Sequence, residues 1–148
     1  MLPRAWVAGK TETATPETAL AKMKSGFDPV SVAYVSADVA PAASPAPGAS
    51  VTIADYAPNA VTLTGQIPAG RLVVLADTWY PGWQAYADGR AETVARVDHI
   101  LRGVTPTAAT TSLRFVYFPA SFAVGAFVTC LCVMLIACGL VVGRRGER

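Results

Sequence analysis

The stretch "RLVVLADTWYPGWQAYADGR", residues 71–90, decides the fold class of this chain. Leu72 to Ala76 are apolar on both parities, which predicts a central strand covered on both faces. Pro81-Gly82 then turns the chain, and "WQAYAD" (83–88) starts another strand. Asp88-Gly89 is a hairpin signal, because the tight turn that matches strand twist needs positive φ at both central positions. Trp79, Tyr80, Trp83 and Tyr86 crowd around the corner. If the corner joins paired strands, rings at alternate positions meet across the hairpin, each pair adding roughly 0.5–1 kcal/mol beyond plain burial. Large rings of this kind fill the gap between two sheets, or they offer flat faces to a ligand.

Working outward, β signals dominate from residue 51. "VTIADY" (51–56) alternates, "APNA" turns, and "VTLTGQI" (61–67) alternates again until "PAG" interrupts it. "RAETVARV" (90–97), "HILRGV" (99–104) and "SLRFVYF" (112–118) extend the series. Towards the N-terminus, "RAWVA" (4–8) and "SVAYVS" (31–36) read as strands. Between them "TPETALAKMKSG" carries the marks of a short helix: Thr15 as N-cap, Pro16 in the first turn with Glu17, Lys22 and Lys24 in the last turn, and Gly26 as the stop. Leu20 and Met23 are expected to face the core. "APAASPAPGAS" (40–50) lacks large apolar residues and reads as a loop. The expected fold is mainly β, an antiparallel β-sandwich or jelly-roll-like domain of about seven to eight strands with one short N-terminal helix.

The C-terminal part differs in kind. No charge occurs between Arg114 and Arg144, and "ASFAVGAFVTCLCVMLIACGLVV" (120–142) exceeds the roughly 20 apolar residues that cross a bilayer as a helix. The chain as a whole, 148 residues and 53% hydrophobic, is too apolar for an ordinary water-borne domain of this length. We therefore expect three parts: a β-rich domain at 1–118, a transmembrane helix at 119–143 and a basic tail at 144–148. Gly139 and Gly143 form a G-x-x-x-G that would let a neighbouring helix approach. Arg144, Arg145 and Arg148 outweigh the sparse cations before the span, which by the positive-inside bias puts the C-terminus in the cytoplasm and the β domain outside. "MLPRAWVAGKTETATPE" has no signal-peptide pattern to export such a domain, so the chain is expected to be the C-terminal piece of a larger multi-span protein.

Several chemistries are set aside. A net charge of +2 with scattered cations gives no footprint for nucleic acid. Cys130, Cys132 and Cys138 all lie in the apolar span, as soft packing residues without a second ligand pair. No metal site and no cofactor are expected. The acids Asp55, Asp77, Asp88, Glu92 and Asp98 show no spacing that pairs two of them for acid/base work, and His99 has no Ser or Cys motif beside it. No catalytic residue is named. Asp77, beside the ring cluster, is the acid most suited to touch a ligand, with Trp79, Tyr80, Trp83 and Tyr86 as the other candidate binding residues.

Together "LPRAWV" (2–7), "ADYAPNAVTLT" (54–64), "LVVLADTWYPGWQAYADGR" (72–90), "LRGV" (101–104) and "LRFVYFPASFAVG" (113–125) resemble the C-terminal region of the bacterial YfhO-like membrane proteins, which are grouped with glycosyltransferases that use lipid-linked sugars. The resemblance implies an extracytoplasmic β module followed by a final transmembrane helix in the bacterial cell membrane. It implies the bilayer, other transmembrane helices and a glycan or lipid-linked sugar as partners. Where the family carries a Pro-x-Gly turn and a basic or His residue, this chain has "TPTAATTS" (105–112). The multi-span part and its membrane-proximal acids are absent, so the expected role is a non-catalytic accessory module, and the alternative is a purely structural or partner-binding membrane-anchored β domain.

Overall fold

The computed structural model describes residues 3–36 and 48–146, with side chains in the last helix as far as Cys138. The chain divides into two units, Met1–Tyr117 and Phe118–Arg148. The first is mainly β. In chain order it holds β1 (Ala5–Val7), β2 (Lys10–Thr13), α1 (Pro16–Lys24), β3 (Val32–Val35), β4 (Ser50–Ala57), β5 (Ala60–Ile67), β6 (Val73–Thr78), β7 (Trp83–Ala87), β8 (Arg90–Glu92), β9 (Val94–Val97), β10 (Leu101–Val104) and β11 (Thr110–Tyr117). They form a six-stranded sheet, β1-β6-β10-β9-β3-β2, and a five-stranded sheet, β4-β5-β11-β7-β8.

The larger sheet curls. β1 and β2 stand at its opposite edges, yet only Ala8 and Gly9 separate them in the chain. Three Cα steps of about 3.8 Å cannot span a flat six-stranded sheet, so the edges must meet. The hydrogen bonds show the junction: Ala8 N donates to Leu72 O at 2.9 Å on the β6 side, and Gly9 N donates to Val30 O at 2.9 Å on the β3 side. Gly9 is required there, because a Cβ would lie 2.7 Å from Ser31 O.

This curl explains why β6 is apolar on both parities. Val73 and Leu75 join Ala5, Val104, Leu63, Phe115 and others in the core between the two sheets. Leu72 and Val74 point the other way, into a second cluster with Trp6, Ala33, Val35 and Val97 that is built from the curled sheet alone. The expected strand covered on both faces is present. Each large side chain enclosed in this way contributes about 1.5–3 kcal/mol.

More strands are present than expected because one predicted run is divided and one strand was not foreseen. "RAETVARV" splits at Thr93: β8 pairs with β7 in the smaller sheet and β9 with β10 in the larger. β2 was not foreseen, and it runs parallel to β3 with α1 as the crossover, so the fold is not purely antiparallel. Pro81-Gly82 does not close a hairpin either. β6 and β7 lie in different sheets, so the corner carries the chain across the core and its rings do not pair across a ladder. The segment after β10 crosses likewise to β11, tied by Thr107, whose N and Oγ1 donate to Glu92 Oε1 at 3.0 and 2.8 Å.

Local signals elsewhere are followed closely. Thr15 caps α1, its Oγ1 accepting from Thr18 N at 3.3 Å, and Gly26 follows the Ser25 C-cap with φ 109°. The face that packs is set by Ala19, buried at 3%, with Met23 one turn on. Leu20, expected inside, is exposed, because residues i and i+4 share a helix face and Leu20 lies beside that face. Asp88 and Gly89 form the β7–β8 turn with φ 45° and 83°. The loop expected at 40–50 falls mostly outside the described residues.

The second unit is α2 (Ala120–Gly146), a single 27-residue helix. Its segment Ala120–Cys138 has a mean hydropathy of 2.4, with no residue buried by the fold, and is long and apolar enough to span a membrane. Within it Thr129 Oγ1 donates to Gly125 O at 2.9 Å, so that hydroxyl is satisfied inside the helix. Gly139 and Gly143 lie within α2, and the side chains of the arginine tail lie beyond those described.

Candidate functional site

Asp77 sits near the end of β6, where the ladder with β10 slips: Arg102 pairs with Leu75, and Leu101 with Thr78. The slip leaves Ala76 and Asp77 without β10 partners and lets the carboxylate reach the Arg102 side chain. Arg102 Nη2 donates to Asp77 Oδ2 at 2.7 Å. Tyr56 Oη donates to the same oxygen at 3.1 Å, and Arg4 Nη2 donates to Oδ1 at 3.1 Å and to Tyr56 Oη at 2.8 Å. One carboxylate thus gathers two cations and a phenol from β4, β10 and the segment before β1.

Arg102 is the unusual member. It is 3% exposed, its guanidinium carbon stands 3.6 Å from the centre of the Trp83 ring and 5.7 Å from that of Phe115, and it joins the two sheets through those rings. Burial pulls its pKa below the ordinary value, and the charge of Asp77 opposes that pull. A desolvated stack of this kind contributes about 2 kcal/mol. Arg102 Nε is buried without a partner. Arg4, on the surface, is held above its ordinary pKa by its hydrogen bonds to Asp77 and Tyr56, and lies 4.4 Å over the Tyr56 ring.

Chemically the cluster is closed. Both oxygens of Asp77 already accept charged or phenolic donors, and the Arg102 guanidinium covers one face of Trp83. A carboxylate so occupied is a poor general base and a good fastener.

The remaining candidate residues are dispersed. Trp83 joins Asp77 through Arg102, and packs on Tyr117 with ring centres 5.2 Å apart. Tyr86 lies on the other face of β7 from Trp83, Ala85 and Ala87, and its Oη donates to Gln84 Oε1 at 2.8 Å. Trp79 follows β6, its backbone N donating to Ile100 O at 2.7 Å and its ring 6.0 Å from the Arg96 guanidinium carbon. Tyr80 is 58% exposed. Trp79, Tyr80 and Tyr86 are thus the candidate rings outside the Asp77 cluster.

Sequence reasoning passed over Arg102, Arg4 and Tyr56. The available signal was a single arginine among the apolar residues of "HILRGV", which a buried strand accommodates only with a counter-charge. His99 stands in the β9–β10 turn with φ 70°, its Nδ1 buried without a partner. Asp88 closes on β11, accepting from Thr111 N and Ser112 N at 3.1 and 3.0 Å. Among the described residues no group of three His, Cys, Asp or Glu could hold a metal ion. Comparison with known protein families, with curated proteins and with solved structures finds no match.

Proposed function

We propose that this chain is a membrane-anchored accessory module: an extracytoplasmic β domain, held at a bacterial cell membrane by α2, that serves a YfhO-like, glycosyltransferase-related assembly without catalysing the transfer itself. The observation that carries the reading is a two-sheet core followed, after only Phe118 and Pro119, by a helix whose segment Ala120–Cys138 is long and apolar enough to span a membrane. The basic tail supports an inside C-terminus by the positive-inside bias. Within the β domain, the exposed Tyr80, with the half-buried Trp79 beside it, would meet an acceptor or sugar, since aromatic faces suit the apolar faces of sugar rings.

The test is a titration of the full chain in lipid nanodiscs with lipid-linked and cell-wall glycans, following Trp emission. A saturable change that disappears in Trp79→Ala supports the glycan role. No change with any glycan class, together with an indole shielded from aqueous quencher, refutes it. A second reading, a purely structural or partner-binding anchored domain, is favoured by the closure of the Asp77 cluster and by the Arg102 cover on Trp83.

A further inference from the structure

The larger sheet has a weak seam. β3 meets β9 through a single register pair, Val35 with Val97, whereas β10 and β9 share four. Next to that pair the seam continues through one residue. Asp98 N donates to Tyr34 O at 2.9 Å, and Asp98 Oδ1 accepts from Tyr34 N at 2.7 Å. A side-chain oxygen thus takes the place of a ladder carbonyl, and the β2–α1–β3 segment joins the rest of the sheet across this side largely through it.

Asp98 is built into the seam at some conformational expense. It is 1% exposed, and it and His99 both adopt left-handed backbone, with φ 46° and 70°, where L residues other than Asn and Asp are rare. Its Oδ2 is buried with no partner. The neighbouring His99 Nδ1 is likewise without a partner, and the other charged groups around Asp98 are engaged elsewhere. Arg96 on β9 donates through Nε to His99 O, and Lys22 on α1 pairs with Glu12 on β2 and lies over the Tyr34 ring. Lys10 also pairs with Glu12, and the Glu17 carboxylate on α1 feels the His99 ring. Tyr34 touches the Asp98 carboxyl through its backbone.

We propose that Asp98 is a proton-controlled latch for the β2–α1–β3 segment: protonated, it holds the segment against β9; ionised, it loosens that seam. The physical reason is that a buried carboxylate with one hydrogen bond and no counter-ion is poorly solvated, and opening the seam returns it to water. Consistently, burial pushes the Asp98 carboxyl up to about 6, above the ordinary value of 3.8, against the hydrogen bond from Tyr34. A group whose folded pKa is raised favours the closed form below its unfolded pKa and loses that advantage as pH rises towards and through 6. The opening equilibrium should therefore grow on the order of 100-fold between pH 4 and pH 7.5, tenfold for each pKa unit of separation.

Hydrogen exchange of the full chain in detergent micelles, corrected for intrinsic rates, reads this directly. Expected is a rise of that size in the opening of 10–35 relative to 72–78, abolished in Asp98→Asn. Equal pH dependence of the two segments, or a dependence that survives in Asp98→Asn, would overturn the latch. Should that variant fail to fold, a carboxyl NMR titration of the wild type decides. An Asp98 inflection near 6 that tracks the Tyr34 amide supports it, and one at or below 4 defeats it.

Discussion

At the scale of single residues, the Asp77–Arg102 pair is the most consequential contact outside the apolar core. Arg102 has 4% of its side chain exposed, so removing its partner leaves a cation buried and uncompensated. We expect Asp77→Ala to destabilise by about 3 kcal/mol, and Asp77→Ala with Arg102→Met to recover much of that loss, since an apolar side chain needs no counter-charge. Chemical denaturation in detergent, as a double-mutant cycle, measures both, and additive losses would contradict the pairing. Asp77 and Trp83 were legible as candidates because they adjoin a turn rich in rings. Their partners were not. Arg4 and Tyr56 are distant in sequence, and only the curl of one sheet and the β10 slip bring them to one carboxylate.

At the scale of elements, the signals that held were local. The α1 cap, the Asp-Gly turn and the doubly apolar β6 need only neighbouring residues to specify them. What could not be read were the crossings at Pro81-Gly82 and Thr93, because a strand that changes sheets keeps the same alternation as one that does not. The curl has its own test. Gly9→Ala places a Cβ 2.7 Å from a backbone oxygen of the segment leading into β3, which can yield only by moving the strand. A loss of about 1–3 kcal/mol is expected, with faster hydrogen exchange in β1–β3 than in β11. Asp88 gives a pH test at the opposite turn. Hydrogen bonds from Thr110 and from the Thr111 and Ser112 backbone hold its carboxyl below the usual range. A depressed pKa contributes stability above the unfolded value, about 4, and loses it as pH falls through the lower folded value. The denaturation midpoint of the wild type should therefore exceed that of Asp88→Asn at pH 6 and converge on it below pH 3.

At the scale of the whole molecule, the two units differ in their hydropathy. The core between the two sheets has members running from Ala5 to Phe115. Ala120–Cys138, at a mean hydropathy of 2.4, is long and apolar enough to span a membrane. The apolar helix was legible from hydropathy alone, whereas its expected orientation rests on a few arginines. Membrane insertion of the helix can be tested by charge. A charged residue at the middle of a spanning helix costs about 2.5–3.5 kcal/mol on insertion scales, and two of them exceed what the remaining apolar residues readily offset. We expect Leu131→Arg with Leu135→Arg to move the chain from the alkali-resistant membrane fraction to the extractable one. Both positions are exposed in the structure and belong to no core cluster, so the β domain should keep its protease resistance and the near-ultraviolet circular dichroism of its buried Trp6. Loss of that signature along with extraction would mean that the β domain depends on the helix for its fold. Retention of the double variant in the membrane would mean that something other than α2 holds the chain there.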